Sequence, residues 1–165
     1  MTEVYDSTLD TMKHSRRVDE LLLQLVAAIQ DRVGKHDESK MHDPEKAIFD
    51  EYTPLLKNAT YGSDEYRQWL VEMKPGLDHH YASNRHHPEH FTDGIDGMTL
   101  VDLVEMLADW KAATERSDTG DLGRSLEINE KRFQMPPQMV SVLRNTASEH
   151  GWLSAVENPG RDAEQ

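Results

Sequence analysis

From Val18 to Val33 the apolar residues Val18, Leu21, Leu22, Leu25, Val26, Ile29 and Val33 return every three or four positions, with polar and charged residues between them. That period belongs to an α-helix with one apolar face, whereas a strand alternates with period two. It predicts one long helix over residues 7–33, stopped by Gly34. Asp43-Pro44 reads as an N-cap with proline at the first helical position, opening a helix to Lys57 that buries Ile48, Tyr52 and Leu55. Asn58 to Gly62 is a turn. Ser63 caps a third helix with Tyr66, Trp69, Leu70, Met73, Leu77 and His80 or Tyr81 on one side and a kink at Pro75. Residues 84–98 read as an irregular loop, and Thr99 caps a fourth helix with Leu100, Leu103, Val104 and Leu107 inward and Asp109 near its middle. Helices over 121–133 and 137–150 follow a loop at Asp118 to Gly120. The expected fold is all-α: a single bundle-like domain of six helices over residues 1–153, with a polar, frayed tail at 154–165.

Composition removes several classes of function. Hydrophobic residues are 36% of the chain, and runs such as Leu21 to Leu23 are far shorter than a membrane span. The start, Met1 to Asp6, has neither the basic nor the apolar segment of a secretory signal, which points to the cytoplasm. There is no cysteine, so disulfides, thiolate zinc sites, iron-sulfur clusters and a thiol nucleophile are excluded, and any metal is held by nitrogen and oxygen. Asp and Glu outnumber Lys and Arg 31 to 18, a net charge of −13 that repels duplex nucleic acid. A small anionic substrate is still compatible, because a metal and local cations outweigh a surface field screened over about 10 Å.

Histidine is the informative excess: five of the nine, His79, His80, His86, His87 and His90, fall between residues 79 and 90. Imidazoles packed so densely repel each other when protonated and add little to a core, and metal binding gives them a purpose. His80 continues the apolar face through Met73 and Leu77, with further candidate ligands six and seven residues on. His79 points elsewhere, as an outer partner, and His90 reads as a solvated loop residue. His36-Asp37 offers one nitrogen and one bridging oxygen, or else a helix-end turn in which Asp37 accepts backbone amides. Asp109 follows Glu105 by four residues, so the two share a helix face and converge on a cation or on ligating imidazoles, unless that face is simply solvated.

In chain order, His14, His36-Asp37, His79/His80, His86-His87 and Asp109 resemble the ligand series of the HD-domain superfamily, which is all-helical and composed mostly of metal-dependent phosphohydrolases. His36-Asp-Glu-Ser-Lys40 resembles its HD-x-G-K form, and His86-His-Pro-Glu89 resembles the HHE motif of the HD-GYP phosphodiesterases. Over most of its length the sequence is also similar to a family of proteins of unknown function common in bacteriophages. It shares with them His36-Asp-x-Ser-Lys40, His79-His-Tyr-x-x-Asn84-x-His-His-Pro-Glu89 and Asp102-Leu-Val-Glu-Met-Leu-Ala-Asp-Trp110. Gly94-Ile-Asp-Gly-Met98 replaces the Gly-Tyr-Pro element, so cyclic-dinucleotide cleavage is not implied. A straight helix would separate His14 from His36 by about 33 Å. Only a second subunit would then bring His14 to the site, as a homo-oligomer could.

The resemblance implies one or two divalent ions (Mn, Fe, Zn, Ni or Co) held by His36, Asp37, His80, His86, His87 and Asp109, and hydrolysis of a small phosphate ester, a nucleotide by first expectation, by an acidified water. Lys40 and Arg85 would grip phosphate oxygens, Glu89 or His79 would move protons, and Trp110, Tyr81 or Tyr66 would stack a base. Two alternatives stand beside this: an HD-fold di-iron oxygenase, and a non-catalytic phage protein that a metal staples together while its acidic surface binds a host partner in the host cytoplasm.

Overall fold

The computed structural model describes residues 5–59, 63–116 and 119–153. Among these it holds seven α-helices and three short 3-10 turns, with no strand, as the helical spacing predicts. No helix among the described residues is long and apolar enough to cross a membrane. The turn expected at 58–62, the loop at 118–120 and the tail at 154–165 fall wholly or partly outside the described residues.

The chain divides into two compact units, residues 1–36 and 37–165. Helix α1, Thr8–Arg32, makes up most of the first, and Gly34 ends it by adopting a φ of +81° that a side chain would resist. No residue of α1 is buried, and its apolar stripe stays open, with Leu22 53% and Leu25 48% exposed. His14 is exposed too, not on a buried face.

In the second unit, α2 spans Glu45–Asn58, α3 Asp64–Glu72, α4 Lys74–Ser83, α5 Leu100–Thr114, α6 Leu122–Phe133 and α7 Pro137–Glu149. The expected kink at Pro75 is a full break: Met73 ends α3 and opens α4, and Pro75 sits in α4's first turn, where its missing N–H costs nothing. That break accounts for the seventh helix. Ser63 caps α3 as expected, its Oγ accepting from the Tyr66 amide. α2 begins one residue later than Asp43-Pro44 suggests, with Pro44 at the capping position and no side-chain cap. Its one fully buried residue is Glu45, while Ile48 and Tyr52 are half-buried and Leu55 is exposed.

The apolar core is built by α5, α6 and α7 around Met106, Leu107, Leu122, Leu126, Val140, Leu143 and Ala147. Burying each large side chain there contributes about 1.5–3 kcal/mol. α5 is rotated from its expected phase: Leu100 and Val104 are exposed, and Asp102, Met106 and Leu107 point inward. The cause is Asp102, which is fully buried in a reciprocal capping box with Thr99 and in an ion pair with Arg85. Trp110 lies parallel to Phe133 at the edge of this core.

α2 and α4 pack closely because α4 presents Gly76, where a β-carbon would come within 2.9 Å of Ile48 Cγ2. Gly76→Ala is therefore expected to destabilise the fold by about 1 kcal/mol, overpacking of about 1–3 kcal/mol outweighing about 1 kcal/mol of helix propensity. A lower urea midpoint reads this out, and a raised midpoint would mean that Ile48 yields freely and leaves only the gain in helix propensity.

Candidate metal centre

Four segments meet at the α2–α4 end of the second unit, and their buried side chains are polar. Asp37 precedes a 3-10 turn, Glu38–Met41, and takes a left-handed φ of +58°, a conformation aspartate tolerates better than most residues. The C-terminal half of α4 supplies His79 and His80, the following loop supplies His86 and His87, and α5 supplies Glu105.

Asp37, His80, His86 and His87 each offer a donor atom, and these four atoms lie within 4.8 Å of one another. His80 Nε2 is 2.9 Å from His87 Nε2 and 3.3 Å from Asp37 Oδ1, and His86 Nε2 is 3.5 Å from the same oxygen. Metal bonds of about 2.1 Å in tetrahedral or octahedral geometry place neighbouring donors about 3.0–3.4 Å apart, so these spacings fit a cation. The other oxygen, Asp37 Oδ2, accepts from Lys40 Nζ at 2.6 Å.

The imidazoles are held from behind. His80 Nδ1 meets Glu45 Oε2 at 2.9 Å, and His86 Nδ1 meets Glu105 Oε1 at 3.3 Å. A carboxylate on one ring nitrogen turns the other toward a ligand, the arrangement that orients metal-binding histidines. Burial holds His80 in its neutral form, with Lys40 adding to the effect and Asp37 and Glu45 opposing it. His87 is pushed down to about 3 by burial, then by His86 and His80, against the pull of Asp109 and Asp37. Neutral imidazoles beside a carboxylate are the protonation states that metal binding requires. The cluster can hold a metal ion.

The other candidates lie as follows. Asp109, half-buried on α5, is near enough to His87 to favour its charged form, but it is not one of the four close donors. His36 is exposed at the end of the first unit. His79 is outside the four-donor group, its Nδ1 at 2.7 Å from Glu45 Oε1. His90 is half-buried and donates to the Tyr81 carbonyl at 3.1 Å, so it is not merely solvated. Arg85 is engaged by Asp102 through Nε at 3.1 Å and a terminal nitrogen at 2.9 Å, and it also covers the Phe91 ring. Glu89 accepts from Arg132 at 2.6 Å. Of the expected stacking residues, Tyr81 lies against His87, with ring centres 4.9 Å apart.

The profile of a family of unknown function, DUF5662, matches residues 3–149. The chain belongs to that family. No curated protein and no solved structure matches it. Within this DUF5662 chain Glu45, which lies in none of the sequence motifs, and Ser39, Asn84 and Asp102, which lie in them with no role assigned from sequence, support the cluster without belonging to it. Ser39 Oγ donates to Glu45 Oε2 at 2.9 Å and accepts from Asn84 Nδ2 at 2.7 Å. Burial opposes the charge on Glu45, but bonds from His79, Ser39 and His80 outweigh it and hold the carboxyl below the usual carboxylate range. A glutamate so deeply buried is rare without such partners. That rarity was the available signal, and it needs burial to be seen.

Proposed function

We propose that this chain is a metal-dependent phosphohydrolase acting on a small phosphate ester, with a nucleotide as the first substrate class to test. The observation that carries the reading is the convergence of Asp37, His80, His86 and His87 on one point. The likeness of their order in the chain to the HD-domain ligand series adds the phosphorus chemistry. A divalent ion of Mn, Fe, Zn, Ni or Co held by these four would supply an acidified water and neutralise charge on phosphorus. Lys40, 32% exposed and paired with Asp37 within the cluster itself, would attract phosphate oxygens there, and Tyr81 offers a face for a base next to His87. Arg85 and Glu89 are left out of the chemistry, since each is committed to a partner elsewhere.

A second reading, a metal that only staples the fold, draws on the depth of the ligands: the His80 and His86 side chains are 3% and 1% exposed. One experiment separates the two. Protein stripped with chelator and reloaded with Mn(II) is screened against a nucleotide panel for phosphate release, alongside thermal melts. Metal-dependent release that Asp37→Asn abolishes is the expected result. Unfolding on chelation, with no nucleotide turned over or protecting the fold, assigns the staple instead. Dioxygen uptake by an iron-loaded sample that releases no phosphate assigns an oxygenase.

A further inference from the structure

Glu45 is the first residue of α2 and is fully buried, yet both its oxygens are occupied. Oε1 meets His79 Nδ1 at 2.7 Å, and Oε2 meets His80 Nδ1 and Ser39 Oγ, each at 2.9 Å. The helix N-terminus adds a favourable field for an anion. A carboxylate only accepts hydrogen bonds, so His80 Nδ1 carries its proton and, in the neutral ring, Nε2 keeps a bare lone pair.

Three contacts argue the other way. On the far side of the ring Nε2 lies 2.9 Å from His87 Nε2 and 3.3 Å from Asp37 Oδ1, and either could accept from an Nε2–H. Asn84 Nδ2 also lies 2.9 Å from His80 Nδ1 and would donate to it in the opposite tautomer. That amide has two hydrogens, and two better acceptors take them: Ser39 Oγ at 2.7 Å and the His80 carbonyl at 2.8 Å. A lone pair on Nδ1 would also face the Glu45 oxygen with no proton between them, whereas an N–H there makes a charge-assisted bond. The Nδ1–H form therefore wins: the Glu45 oxygen is closer to Nδ1, at 2.9 Å, than the Asp37 oxygen is to Nε2, at 3.3 Å, and in the metal-free protein a neutral His87 can donate its Nε2–H to the His80 Nε2 lone pair.

We propose that Glu45 is the positioning residue of this site, fixing His80 in the Nδ1–H tautomer so that its Nε2 is presented as a ligand together with Asp37 and His87. The inference rests on the metal reading for its purpose, but the tautomer is a property of the metal-free protein and can be measured there. Nitrogen-15 NMR of the imidazoles, with His80 assigned by loss of its signals in His80→Asn, reads the tautomer directly. In metal-free wild type His80 is expected to be Nδ1–H. Glu45→Gln places an amide where the second oxygen was, and is expected to shift His80 toward Nε2–H and to weaken Zn(II) binding by about 10–100-fold in a chelator competition. Glu45→Asp keeps the charge and is expected to restore the Nδ1–H form and most of the affinity.

An Nε2–H signal for His80 in metal-free wild type overturns the proposal even if Glu45→Gln does not fold. So does a Glu45→Gln protein that is folded, keeps Nδ1–H and binds Zn(II) as wild type does. A wild type that shows Nδ1–H but binds no Zn(II) leaves the tautomer assignment standing and removes the metal reading instead.

Discussion

Asp37→Asn is expected to weaken binding of Zn(II) or Mn(II) by more than about a hundredfold, because losing even an outer partner of a ligand costs about 10–100-fold. Asp37 supplies the cluster's one anionic donor, and its Oδ1 is the atom that both His80 Nε2 and His86 Nε2 approach. Asparagine preserves the shape and tolerates the left-handed backbone at this position, so the loss is of charge and not of fold. In the apo protein the substitution also removes the partly exposed pair with Lys40, about 1 kcal/mol or less. Isothermal titration of the stripped protein checks this, and a dissociation constant within threefold of wild type would refute the ligand role.

The second large effect is on stability. Asp102 accepts from four donors: the Thr99 amide at 2.9 Å, the Thr99 hydroxyl at 2.8 Å, and two nitrogens of Arg85 at 3.1 and 2.9 Å. Asp102→Asn replaces one of its oxygens with a donor facing other donors. Breaking a buried pair costs about 3–5 kcal/mol, and Arg85, 42% exposed, recovers some water, so a loss of about 3 kcal/mol is expected. For a chain of this size that lowers the melting temperature by about 6–12 °C.

The effect carries a pH signature. Burial opposes ionisation of Asp102, but Arg85 and Thr99 outweigh it and hold the carboxyl down to about 2, below its unfolded value. A depressed folded value means stability that is fully present above about pH 4 and is lost as pH falls through about 2. The gap between wild type and Asp102→Asn should therefore be constant from neutral pH down to about 5 and shrink in stronger acid. Because residue 85 immediately precedes His86 and His87, the same substitution is expected to loosen metal binding.

Helix existence was legible because it rests on local period and capping chemistry: Ser63 and Thr99 cap where the sequence says they do. The phase of α5 was not, since counting leucines and valines places Leu100 and Val104 inside, while Asp102 turns inward for a partner seventeen residues away. The same limit hid the roles of Arg85 and Glu89, cations and anions whose partners lie far along the chain. The histidine cluster was legible because so many imidazoles in one segment have no packing rationale. Glu45 was not, because an acidic residue in a helix's first turn ordinarily needs no explanation beyond the helix dipole.

X-ray absorption on protein stripped, reloaded with one equivalent of Zn(II) and desalted tests the central claim most directly. The expected spectrum has a first shell of nitrogen and oxygen at about 2.0–2.2 Å with outer scattering from three imidazole rings, one ring fewer in His87→Ala. Zinc lost on desalting, or a shell with no imidazole scattering, would contradict it.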